Sequence, residues 1–289
     1  MRQNLILNAQ TLARVPFDQR VRAAAAAGYR GLSIRPLEYR DAHAAGIDDR
    51  QMLKLLAAAD IEVTEIGFAA TWLGNGRFGI DEDEDTLWHM AELFRPRQLN
   101  AGLWEAHDPV EVARAFAVLC DRAAERGLLV ALEFIPHSGI RTLAAASQII
   151  ARANRANGGL ILDAWHLERT GEPYSAIAEV PADRWLTLQL ADAATVPWFE
   201  VREESRHGRL LPGEGTVDFP ALLATLRRIG ASPLVSVEVI SDEVHRLPPQ
   251  EGAKVTLDSA VEILNQCGLE PGWWRDGQQR NAENRETSV

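Results

Sequence analysis

The stretch DPVEVARAFAVLCDRAAERGLLVALEF, from Asp108 to Phe134, decides the architecture. Asp108 followed by Pro109 is a helix start. An acidic side chain suits the positive end of the helix dipole, and the fixed φ of proline suits the first turn. A helix is therefore predicted over Pro109–Arg126, closed by Gly127. The apolar run Leu128–Phe134 follows at once. It lacks the alternation of a half-exposed strand, so it reads as a strand covered on both faces. Helix followed by covered strand is the repeating unit of a parallel sheet.

The same unit recurs in both directions. Other strand-like runs are Leu5–Leu7, Gly31–Ile34, Ile61–Gly67, Gln98–Gly102, Gly159–Asp163, Trp185–Leu190 and Leu234–Val239. Helices are predicted between them at Phe17–Ala27, Asp48–Asp60, Asp81–Phe94, Thr142–Asn154, Tyr174–Glu179, Asp218–Ile229 and Glu251–Cys267. Eight such repeats are the number that closes a (β/α)8 barrel. The fold expected is thus α/β, a single-domain (β/α)8 TIM barrel over residues 1–269. An open doubly wound sheet satisfies the same periodicity and stays as the alternative. From Glu270 to Val289 the periodicity ends, and a partly disordered C-terminal tail is expected there.

Composition narrows the function. The 289 residues carry 41 acidic and 30 basic side chains, a formal charge of −11. Such a field repels nucleic acid and anionic membrane, so neither is expected as a partner. Lys54 and Lys254 are the only lysines and both fall in helical patterns, which leaves no strand-end lysine for Schiff-base chemistry. Cys120 and Cys267 stand far apart, which excludes a disulfide framework or a thiolate zinc site. Met1–Asn8 is too short and too polar for a signal peptide, and no apolar run approaches a membrane span. A cytoplasmic protein is expected, and homo-oligomer formation stays open.

Gly74-Asn-Gly-Arg-Phe-Gly79 matches the dinucleotide pattern G-x-G-x-x-G in letters only. It lies past its strand, and the helix after it opens with Asp81-Glu-Asp-Glu-Asp85, which would repel a pyrophosphate. It reads as a flexible loop.

The strand ends carry the chemistry. Strands five to eight end in Glu133, Asp163, Gln189 and Glu238, each after an apolar run. In a barrel these ends meet on one face. Three carboxylates facing each other repel unless a cation sits between them, so a divalent metal site is expected.

With these residues in view the chain resembles the xylose isomerase-like TIM-barrel superfamily. That is the sugar phosphate isomerase/epimerase group, which also holds inosose and 3-dehydroshikimate dehydratases. The matching stretches are Leu132-Glu133-Phe134, Leu162-Asp163-Ala-Trp-His166, Leu188-Gln189-Leu-Ala-Asp192, Pro212-Gly-Glu-Gly-Thr-Val-Asp-Phe219 and Val237-Glu238. The resemblance runs from about Asn4 to Gly268 and implies Glu133, Asp163, Gln189 and Glu238 as ligands of one divalent cation. Most members carry histidine where Gln189 stands, whereas some 3-dehydroshikimate-type dehydratases carry glutamine. An all-oxygen set favours Mn²⁺ or Mg²⁺, with Co²⁺ possible.

The resemblance also implies that His166, three residues beyond Asp163, contacts substrate, and that Glu133 and Glu238 act as an acid–base pair across it. Arg209, shortly before Pro-Gly-Glu-Gly, would clamp a substrate carboxylate or phosphate, with Ser205 beside it. His137 and Glu65 are further candidates for substrate binding. The activity implied is isomerisation or epimerisation of a small polyhydroxylated carbonyl compound or acid, through proton abstraction α to a carbonyl and a metal-bound enediolate. A dehydratase shares the first step and then expels a β-hydroxyl, with His166 as its acid or base. A barrel that binds metal or a sugar acid without turnover is a third reading. The apurinic-site endonuclease sharing this barrel needs a histidine-rich three-metal cluster and a basic face. Seven scattered histidines and a charge of −11 do not supply them.

Overall fold

The computed structural model describes residues 3–73, 84–198 and 200–269. The Gly74–Gly79 loop and the tail at 270–289 lie outside the described residues. Strands β1 (Gln3–Leu7), β2 (Tyr29–Ile34), β3 (Glu62–Ala69) and β4 (Gln98–Ala101) pair in sequence order. They continue into β5 (Leu129–Glu133), β6 (Gly158–Asp163), β7 (Trp185–Leu190) and β8 (Leu234–Val237). All neighbours are parallel, and β8 returns to β1 to close the barrel. Closure excludes the open sheet.

The outer layer begins with α1 (Phe17–Ala27), α2 (Pro36–Ala44), α3 (Asp49–Ala59), α4 (Glu84–Phe94), α5 (Pro109–Ala124) and α6 (Leu143–Ala153). It continues with α7 (Ala164–Thr170), α8 (Val201–His207), α9 (Phe219–Arg228), α10 (Asp242–Arg246) and α11 (Pro249–Gln266). Local chemistry starts these helices. Asp48, Asp108, Thr142 and Asp218 each accept a backbone N–H three residues on, at 2.7, 3.0, 3.1 and 2.9 Å. In α5 the buried residues Val112, Ala113, Phe116, Leu119, Cys120 and Ala123 form one stripe facing the sheet. Cys120 is a free thiol buried in this core. None of the described helices is long and apolar enough to cross a membrane.

Several elements depart from expectation, among them α2 and α10, which stand where no helix is predicted. Tyr174–Glu179 is a 3₁₀ segment bracketed by Pro173 and Pro181, which leave no room for a longer helix. The helix that follows β6 is α7, starting directly on Asp163. Helix α8 arises in what reads as a charged loop; its seven residues, VREESRH, show no apolar stripe. Inside the barrel the apolar contribution is small, a cluster of Ala131, Ile161 and Leu186 with Leu129 against it. The larger apolar core lies between sheet and helices.

The segment after β7 is built around buried Asp192. Its Oδ2 accepts the N–H groups of Gly213 and Gly215 at 2.9 and 3.0 Å, and its Oδ1 those of Ala193 and Val217 at 2.8 and 2.9 Å. The backbones of Asp192 and Leu210 exchange two hydrogen bonds of 2.9 Å, and Arg209 N–H donates to Ile240 O at 3.1 Å. The chain thus threads Gly208–Leu210 between the loops after β7 and β8, aiming Arg209 into the barrel mouth. The Pro-Gly-Glu-Gly sequence serves this turn. Gly213 sits at φ +94°, and a Cβ on Gly215 would lie 2.1 Å from Ala193 O.

Asp192→Asn keeps the size but replaces one accepting oxygen by a donor aimed at N–H groups. We expect a loss of about 2–4 kcal/mol of stability in urea unfolding. An unchanged midpoint would show that this turn does not depend on the carboxylate.

Candidate active site

Glu133 and Asp163 are the last residues of β5 and β6, Gln189 is the penultimate residue of β7, and Glu238 directly follows β8. Asp163 and Gln189 stand in register across the β6–β7 pair. Four adjacent strands therefore deliver these side chains to one face as an arc, with Glu133 and Glu238 at its ends. All four are buried.

Asp163 does two jobs. Its Oδ1 accepts the His166 N–H at 2.9 Å and caps α7, while its Oδ2 accepts Arg209 Nη1 at 2.7 Å. The same nitrogen lies 3.1 Å from Glu238 Oε2. His166 Nε2 stands 3.2 Å from Glu133 Oε1 and 3.6 Å from Asp163 Oδ2. The Gln189 amide points its oxygen at Asp163 Oδ2 and Glu133 Oε1, 3.3 Å from each; the opposite amide orientation would turn both contacts into hydrogen bonds.

Burial and mutual repulsion divide the charges. Burial, with Asp163 nearby, pushes Glu133 up to about 8 against the pull of Arg209. Burial also raises Glu238 well above the usual carboxylate range; Arg209 opposes this, and Glu133 and Asp163 add to it. Burial acts on Asp163 too, but there Arg209, His166 and the capping N–H outweigh it and hold the carboxyl below its ordinary value. Burial pulls His166 down to about 4 despite Asp163, so its imidazole is neutral at pH 7.

The donor set fits a divalent cation. Ligand atoms of Glu133, Asp163 and His166 all lie within 4.8 Å of one another. Asp163 is answered by Arg209, and the other two buried carboxyls, which hold their protons, offer oxygens from which a divalent ion would displace those protons. His166, expected as a substrate contact and as the acid or base of a dehydratase, stands inside this cluster and adds a nitrogen donor.

Above the cluster opens a cavity of about 410 Å³, the size of a small-molecule site. Glu133, Gln189, Glu238, His166 and Arg209 form its polar floor, and Ile66, Phe68, Ile240 and half-exposed Trp104 line an apolar side. Trp104 stacks on His137 with ring centroids 6.4 Å apart and leans on Phe68 at 5.6 Å. His137 and Ser205, both expected here, meet at 3.4 Å on the wall. Burial, with His166 and the arginines of the β7 loop adding, lowers His137 to about 4.

One expectation is corrected. Glu65 does not line the cavity: it is fully buried inside the barrel, taking Thr187 Oγ1 at 2.8 Å, Gln98 Nε2 at 3.2 Å and Ser236 Oγ at 3.2 Å. Arg209, expected as a clamp, lines the cavity but is tied to its floor. It is 3% exposed, and its guanidinium is bound to Asp163 and Glu238 of the floor. Sequence reading missed Trp104, Phe68 and Arg206, all of which line the cavity. Their signal was position alone: Phe68 lies at the end of β3, Trp104 just past β4 and Arg206 in the segment after β7.

Helix α8, which carries Ser205 and Arg206, is anchored by Glu204. That fully buried carboxylate accepts Arg169 Nε on both oxygens at 3.1 Å and the Trp198 N–H at 3.1 Å. Arg169 lies on α7, so the arm is fixed to the helix that starts at Asp163.

The family model for the xylose isomerase-like TIM barrel matches residues 21–264. The chain is 30% identical over 149 residues to an inosose isomerase of Bacillus licheniformis, 51% of this chain and 52% of that protein. It is 34% identical over 158 residues to a 3-dehydroshikimate dehydratase of Pseudomonas aeruginosa, covering 54% of this chain and 25% of the relative. The chain thus matches about half the length of the first of these relatives and a quarter of the second. A crystal structure of the IolI protein with a bound zinc atom superposes with a TM-score of 0.80 at 19% identity, over 91% of this chain and 98% of the other.

Because Glu133 holds its proton up to about pH 8, a cation entering beside it must displace that proton. Glu238, raised as well, adds to this, so cation affinity should fall by about tenfold or more per unit as pH drops from 8 to 6. Calorimetric titration with Mn²⁺ at several pH values reads this directly, and Glu133→Gln should weaken binding and flatten the slope. A flat profile in the unaltered protein would contradict the charge assignment.

Proposed function

The chain belongs to the xylose isomerase-like TIM-barrel family, and on that premise we propose that it is a divalent-metal-dependent isomerase or epimerase of a small polyhydroxylated carbonyl compound. The observation that carries this reading is the pair of buried carboxylates with raised proton affinity, Glu133 and Glu238, at the two ends of the arc on the cavity floor.

Glu133, Asp163, Gln189 and Glu238 would hold the cation, with His166 Nε2 within reach of the same place. Bound there, a divalent ion supplies Lewis acidity toward a substrate carbonyl and its neighbouring hydroxyl. The oxygen-rich donors favour Mn²⁺ or Mg²⁺, and the imidazole nitrogen also admits Co²⁺.

The proton work falls to the chain's own side chains. A carboxylate whose pKa is raised toward neutrality is a stronger base than an exposed one and is still ionised in a useful fraction of molecules. One of Glu133 and Glu238 removes the proton α to the carbonyl, and the other returns one from the opposite face. Asp163, kept ionised by Arg209, stays out of the proton traffic. Neutral His166, its Nε2 3.2 Å from Glu133 Oε1, orients that carboxyl. Free Cys120 and Cys267 accord with a reducing cytoplasmic setting.

One observation favours a second reading, dehydration. A neutral imidazole 3.2 Å from the base can pass a proton to a leaving hydroxyl. The two readings share proton abstraction and part afterwards.

The test incubates the Mn²⁺-loaded protein in D₂O with ketoses, inososes and 3-dehydroshikimate, following α-hydrogen exchange and enone absorbance together. Glu133→Gln or Glu238→Gln should cut exchange by about 10²–10⁴-fold. Under the isomerase reading, exchange proceeds without enone and His166→Asn slows it only modestly. Enone formation that collapses in His166→Asn while exchange survives would make the dehydratase correct. Neither signal with any substrate would leave a binding barrel.

A further inference from the structure

The charged groups of the cavity fall into answered and unanswered sets. Arg209 is answered on the floor by Asp163 and Glu238. Arg35 lines the opposite side, where its Nε donates to Glu38 Oε1 at 2.7 Å, and Arg40 is engaged as well. Arg206 is different. It lines the cavity, its side chain is exposed to solvent, and among the described residues no carboxylate pairs with it. In a chain with a net charge of −11, a guanidinium at a cavity mouth without an acidic partner stands out.

Its placement is built. Arg206 follows Glu204, whose buried ion pair with Arg169 fixes α8 against α7. It also follows Ser205, whose hydroxyl lies 3.4 Å from His137 Nε2. His137 in turn meets the His166 ring edge-on at 6.5 Å. The wall thus runs from the floor through His166 and His137 to Ser205 and Arg206. His137 feels the field of Arg206, so the guanidinium acts on the cavity interior and not only on bulk solvent.

We propose that Arg206 forms an anion subsite at the cavity mouth, so that the compound bound here carries a carboxylate or a phosphate at the end remote from the reacting carbon. The inference rests on the functional reading above and narrows its substrate class. A ligand reaching from floor to mouth would set its reacting carbon over Glu133 and Glu238 and its anionic oxygens on the fork of Arg206. The apolar side made by Phe68 and Trp104 leaves space for a carbon ring between them.

The test is calorimetric and needs no turnover. The full chain loaded with Mn²⁺ is titrated with shikimate, glucose 6-phosphate and myo-inositol, a carboxylate, a phosphate and a neutral polyol. At least one anionic probe should bind about tenfold or more tightly than myo-inositol, and which one does identifies the group recognised. Arg206→Gln should remove about 10–100-fold of that affinity and leave myo-inositol within about twofold. Arg206→Lys should restore part of it. The side chain is exposed, so both variants should keep the melting temperature of the parent. Equal binding of charged and neutral probes, an equal loss for both in Arg206→Gln, or no binding by any probe would overturn the subsite. The functional reading fails by a separate measurement, if Mn²⁺ itself does not bind or Glu133→Gln does not weaken it.

Discussion

Three carboxylates buried within reach of one another form the constraint around which the rest is arranged. Such a cluster is unstable by itself, since desolvation and repulsion both act against ionised acids. One guanidinium, that of Arg209, is brought in from a loop to oppose them. Getting it there requires the return segment Gly208–Leu210 to run between two neighbouring loops. That path in turn requires Asp192 to gather four backbone N–H groups and glycine to stand at 213 and 215. The motif in the sequence is thus a scaffold for one positive charge.

The fold was legible because a covered strand and an amphipathic helix each leave a strong periodic trace, and eight repeats admit few closures. The floor was legible for a related reason. A carboxylate directly after an apolar run is costly in most contexts, so Glu133, Asp163 and Glu238 stood out. What lay between strands was harder. Arg209 and Arg206 sit three residues apart in one charged stretch, and spacing does not tell which faces inward. Backbone pairing with Asp192 and Ile240 decides it, and that pairing is tertiary. Glu65 misled for the opposite reason: it is one more acid on a strand, but it points into the barrel below the site, where hydroxyl and amide groups surround it.

That lower layer gives the barrel an unusual interior. Larger aliphatic side chains commonly fill such a space. Here Glu65, Gln98, Thr187 and Ser236 form a hydrogen-bonded plate above a small apolar cluster. Its hydrogen bonds fix orientation more narrowly than apolar packing does, although Gln98 Oε1 is buried without a partner among the described residues. The plate supports Gln189 and Glu238 from beneath, one turn of the side-chain alternation below them.

The paired backbones of Asp192 and Leu210 also make a neck. Everything between them leaves and re-enters the barrel at adjacent points. Loop-closure entropy grows only with the logarithm of length, so an excursion with a stitched neck can lengthen, shorten or be exchanged at small thermodynamic cost. Arg209 sits on the neck and would stay with the barrel, whereas Ser205 and Arg206 belong to the excursion. The molecule is therefore divisible for evolution and for engineering. The barrel and neck keep the reacting groups, and a transplanted excursion could change which compounds are admitted without rebuilding the core.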